Sequence, residues 1–74
     1  MNRKERKLCS FLEKCYIRKM NLTLTESDKD TIVGLIARGI LNNNTALYLG
    51  IGTKLSLDIF PFTPYGYENY KESA

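Results

Sequence analysis

Between Arg3 and Met20, Leu8, Phe11, Leu12, Cys15, Tyr16 and Met20 recur at spacings of three and four, with no proline or glycine to interrupt them. Apolar groups at that period line one side of a helix, so this segment has to fold as an amphipathic helix with something to cover it. Its other side is basic. At roughly 100° per residue, Arg3, Lys7, Lys14 and Arg18 fall within about 60° of one another, and the ridge they form is about 22 Å long. Lys4 and Lys19 lie nearer the apolar stripe at the two ends, where their aliphatic stems can cover core.

The net charge of +3 is unevenly placed. Residues 3 to 19 hold seven cations against Glu5 and Glu13, a local balance of +5, whereas the rest of the chain stands at −2. Such an asymmetry points the first helix at something anionic. A chain of 74 residues is expected to form one small domain. An unstapled core of that size supplies only about 3 to 5 kcal/mol. Cys9 and Cys15 stand roughly 120° apart around the helix, which is poor disulfide geometry, so two reduced thiols and a cytoplasmic location are expected. Binding to another macromolecule or to a second copy is the remaining source of stability. The basic amino terminus is followed by no apolar run of secretory length. The longest apolar run, Ile32 to Ala37, is far short of the ~20 residues of a membrane span, so no integral membrane segment is expected.

The remaining pattern predicts an α+β domain. After a first helix over about 3–20, Thr25 with Asp28 three residues on forms a capping-box pattern, and a second helix follows over about 26–38. Ile32, Val33, Leu35 and Ile36 are its expected buried side, and Gly39 is placed to end it in a left-handed turn with Ile40 packing back. Asn42, Asn43 and Asn44 mark a turn. Alternating apolar residues then suggest an antiparallel β-hairpin with strands at about 45–49 and 53–60, reversed by Gly50-Ile51-Gly52. Ile40 and Leu41 are candidates for a short third strand. Pro61 and Pro64 stop the sheet, and the tail 61–74 is expected to be a loop carrying Phe62, Tyr65, Tyr67 and Tyr70.

Catalytic chemistry finds no support in this pattern. With no histidine in the chain, the commonest general base and the commonest zinc ligand are both missing. Two cysteines do not complete a structural zinc site. Around Gly50-Ile51-Gly52-Thr53-Lys54, threonine precedes lysine and a strand is expected next, which is the wrong order for a phosphate loop. Glu26, Asp28 and Asp30 are explained by the positive end of a helix dipole. The expectation is a protein that is not an enzyme and has no metal or cofactor.

The run Leu35-Ile36-Ala37-Arg38-Gly39-Ile40-Leu41, followed by the expected hairpin, resembles the end of a winged-helix domain, where a helix closes in a similar phrase before the wing. The resemblance covers about a third of the chain and implies nucleic-acid binding. Two surfaces are thus the candidates for function: the ridge of Arg3, Lys7, Lys14 and Arg18, and the aromatics Phe62, Tyr65, Tyr67 and Tyr70. The first expectation is a small binding protein that regulates or inhibits a larger protein by docking, as a phage or mobile-element accessory factor would. The alternative is a small nucleic-acid-binding, winged-helix-like module that uses its basic first helix on phosphates. A weaker third reading places that helix on anionic lipid.

Overall fold

The structure is a computed structural model that describes residues 1–22, 24–48, 55–57 and 59–72. These described residues form three α-helices, α1 (Arg3–Arg18), α2 (Glu26–Ala37) and α3 (Pro64–Glu72), and a 3-10 helix over Asn43–Tyr48. Each of the first two helices opens on a reciprocal cap. The Asn2 side chain accepts from the Glu5 backbone N–H at 2.8 Å and the Glu5 carboxylate accepts from the Asn2 N–H at 3.0 Å. Thr25 and Asp28 make the same pair of bonds at 3.1 Å each. Two otherwise unpaired amides are satisfied at each start.

Helix α2 ends as its sequence predicts. Gly39 has φ of 76°, its N–H donates to the Ile36 carbonyl at 3.0 Å, and the Ile40 N–H reaches back to Leu35 at 2.9 Å. This paired reversal needs a residue without a Cβ penalty at positive φ and drives Ile40 into the core.

Among the described residues there is no β-hairpin, and their architecture is helical, not α+β. Residues 45–48 of the expected first strand, with Asn43 and Asn44 of the expected turn, form the 3-10 helix instead. A five-residue run of alternating apolar groups does not separate a strand from a short helical turn. The local hydrogen bond from the Thr45 N–H to the Asn42 carbonyl, 3.0 Å, decides it. Within the expected second strand, Leu55–Ser56 pairs antiparallel with Asn21–Leu22 over two residues and not with 45–48. The expected third strand reduces to one isolated bridge between Leu41 and Phe62. Extended pairing among the described residues goes no further, and it makes no sheet layer. The Gly50-Ile51-Gly52 reversal lies outside the described residues. The winged-helix resemblance requires a wing after Leu41, and the 3-10 helix stands in that place.

The tail is also not a loop. Thr63 and Pro64 start α3: the Thr63 hydroxyl accepts from the Gly66 N–H at 2.9 Å and donates to the Gly39 carbonyl, while proline at the first helical position forfeits an N–H that has no partner there anyway. The approach to this helix is clamped by Asn42, whose side-chain amide donates to the carbonyls of Phe60 and Phe62 at 3.3 and 3.2 Å. Its backbone N–H donates to Pro61 at 2.7 Å. Phe62, only 2% exposed, is thereby buried with Leu12, Ile32, Leu35, Leu41 and Leu57. Against the expected buried side of α2, Val33 is half exposed, because Leu35 and Ile32 already fill the side that meets α1.

Gly66 and Gly34 give a matched pair of predictions. A Cβ at Gly66 would lie 1.8 Å from the Ile40 carbonyl oxygen, a backbone atom, whereas one at Gly34 meets nothing within 4 Å. Gly66→Ala is expected to cost about 3 kcal/mol, close to the whole stability of a core this small. Gly34→Ala is expected to gain about 1 kcal/mol and raise Tm by about 4–8 °C. Thermal melts followed by circular dichroism check both signs. Phe62→Ala, at about 3–5 kcal/mol, should leave no cooperative transition.

Candidate functional site

The two candidate surfaces of the sequence differ in exposure. Of the four tail aromatics, Phe62 is core, and Tyr67 and Tyr70 are partly buried around it. The Phe62 ring lies 5.5 Å from Tyr67 at an edge-on angle and stacks on Tyr70 with an interplanar angle of 11°. Phe60 joins them to Tyr16 of α1, with centroids 5.2 Å from Tyr67 and 5.4 Å from Tyr16. Such pairs add about 0.5–1.5 kcal/mol each beyond their buried area, a sizeable share for a small core. Only Tyr65, 62% exposed, faces solvent. The four tail aromatics therefore do not share one exposed face.

The ridge does. Arg3, Lys7, Lys14 and Arg18 are all exposed on α1. Their electrostatic setting depends on where the only two carboxylates of α1 go. Glu5 completes the helix cap and takes the Arg38 guanidinium at 2.6 Å. Glu13 accepts from the Tyr67 hydroxyl at 2.7 Å, the Tyr70 hydroxyl at 3.4 Å and the Lys71 ammonium at 3.4 Å. Both acids are turned toward other elements and paired with cations from outside α1. The ion pairs among the described residues, Lys29–Glu26, Arg38–Glu5 and Lys71–Glu13, use no cation of α1. Lys4 bonds the Ser27 hydroxyl of α2, and Lys19 lies 4.6 Å from the Tyr16 ring centroid.

Two apolar side chains share this face, and the sequence pattern missed both roles. Phe11, read as part of the buried stripe, is 41% exposed, and Ile17 is 66% exposed. Leu8, Cys9, Leu12 and Cys15 are the residues of α1 that are buried. That buried arc centres nearly opposite Lys14, so Phe11 falls at its outer margin beside Lys7. A surface groove of about 600 Å³ runs along this side, lined by Lys4, Lys7, Phe11 and Lys14 and bounded by Asp28. Helical spacing alone puts Phe11 with either group, and only the position of α2 and the tail decides between them.

The hydroxyl of Tyr67 is held in its protonated form by the Glu13 carboxylate, which raises its pKa. Glu26, Asp28 and Asp30 make no cluster: Asp28 caps α2 and Glu26 pairs with Lys29 at 3.6 Å. Among the described residues no group of three or more Cys, Asp or Glu side chains is arranged to hold a metal ion, and no helix is long and apolar enough to cross a membrane.

Cys9 and Cys15 are free and buried. Burial pushes the Cys9 thiol up to about 11, with the nearby Glu5 carboxylate acting in the same direction. Because folding raises this pKa above its ordinary value of 9.0, the stability it contributes is complete below pH 9 and is lost as pH climbs through about 11. At pH 8, alkylation of Cys9 in the folded protein is expected to run at least about a hundredfold slower than in urea, by timed mass spectrometry. No protein-family model matches the chain, and comparison with curated proteins and with solved structures returned no significant match.

Proposed function

We propose that this is a small non-enzymatic protein that binds nucleic acid through the outer face of α1, with Arg3, Lys7, Lys14 and Arg18 on phosphates. The observation that supports it is the inward engagement of Glu5 and Glu13, which leaves the ridge without a neutralising partner among the described residues. Charges on a solubilising helix surface are ordinarily mixed in sign, and this face carries one sign only. A strand presents roughly one phosphate per 3.4 Å of duplex axis, so a ridge of about 22 Å faces about six of them. Two buried reduced thiols suit a cytoplasmic protein.

A second reading, regulation or inhibition of a larger protein by docking, draws on Ile17 and Tyr65, 66% and 62% exposed. Phosphates make no use of such groups, whereas an acidic protein surface with an apolar centre does. A phage or mobile-element accessory factor would fit either reading.

Fluorescence anisotropy with labelled duplex and single-stranded oligonucleotides, between 50 and 200 mM salt, separates them. Four phosphate contacts predict a loss of about 150-fold for duplex and about 50-fold for a single strand over that range. Alanine at Arg3, Lys7, Lys14 or Arg18 should each lower the slope of log K against log salt by about one contact. Salt-independent binding, or a protein complex that survives nuclease and high salt, favours protein docking instead.

A further inference from the structure

The groove along α1 combines features that phosphate contacts alone do not require. Phe11 is 41% exposed although the chain has an aromatic core to join, and it takes part in none of the ring contacts among the described residues. Lys7 precedes it by four residues and Lys14 follows it by three. These offsets put the Cα of one lysine about 6 Å toward the amino end from that of Phe11 and the Cα of the other about 4.5 Å toward the carboxyl end, on the same side of the helix. Lys4, tied to Ser27 of α2, closes the groove further along.

A nucleotide within a strand has the same layout: one flat base with a phosphate on its 5′ side and another on its 3′ side. In a duplex the flat faces of the bases are covered by their neighbours, and a side chain on a helix surface meets phosphates and base edges only. In a single strand a base face is free to lie on an aromatic ring while flanking phosphates meet lysines. Resting on the nucleic-acid reading above, we propose that the groove is a single-strand site: an unpaired base stacks on Phe11 and its two flanking phosphates are held by Lys7 and Lys14. Charge complementarity selects the occupant, since three lysines surround the ring and the single acid at the rim, Asp28, is engaged in the cap of α2.

The test uses the whole chain, a short thymidine oligonucleotide, an abasic strand of equal length and charge, and the thymidine strand in duplex form. Base stacking on one ring predicts tighter binding of the thymidine strand than of the abasic strand by roughly 5- to 150-fold. Phe11→Ala should remove that preference and leave the salt slope unchanged. Lys7→Ala with Lys14→Ala should lower the slope while keeping part of the preference. The chain contains no tryptophan, so Phe11→Trp supplies a single reporter whose emission should be quenched by the thymidine strand and not by the abasic one. Equal binding of thymidine, abasic and duplex forms, with Phe11→Ala without effect, would overturn the single-strand site and leave general phosphate binding standing. Absence of any salt-sensitive complex would overturn both. Binding of phosphatidylserine vesicles without oligonucleotide binding, with a blue shift of the tryptophan, would assign the groove to a lipid surface and also overturn the proposal.

Discussion

The backbone contact between residues 60–66 and the turn after α2 holds the rest of the molecule in place. Asn42 takes the carbonyls of Phe60 and Phe62, Thr63 links Gly39 to Gly66, and Gly66 lets α3 rest directly on the Ile40 carbonyl. None of these contacts is strong alone, at about 1 kcal/mol net for each hydrogen bond. Together they fix the angle at which the chain returns, and that angle puts Phe62 at the centre of the core. It also presents Tyr67, Tyr70 and Lys71 to Glu13.

The electrostatics of α1 follow from that return. A glutamate at position 13 on a free helix would neutralise neighbouring lysines. Here it is occupied by two phenols and an ammonium from α3, and Glu5 is occupied by Arg38 at the end of α2. The packing that stabilises the core therefore removes both negative charges from the basic helix. Stability and surface potential are two results of one arrangement.

Much of the helical part was legible from local chemistry. The bounds of α1 and α2, the Thr25 cap and the Gly39 terminator rest on interactions within a few residues, and these are written in spacing and residue type. The hairpin failed because Thr45 to Leu49 is too short for its alternation to carry weight against one hydrogen bond from the Thr45 N–H to the Asn42 carbonyl. Helix α3 was hidden for a related reason. Pro64 and Gly66 read as breakers, although threonine before proline is also a helix start, and Gly66 is required by contact with a residue 26 positions earlier. The basic ridge was legible as a period. That Phe11 belongs beside it depends on where α2 and the tail pack, which is a long-range outcome that local spacing does not contain.

The proposed binding face is the outer side of α1, whereas α3 packs on the core. Mapping amide chemical shifts in a labelled sample during titration with a short oligonucleotide tests it most directly. Perturbations are expected to concentrate at Arg3, Lys7, Phe11, Lys14 and Arg18, with Tyr65 to Glu72 unmoved. Perturbations centred on α3, with α1 unchanged, would contradict it.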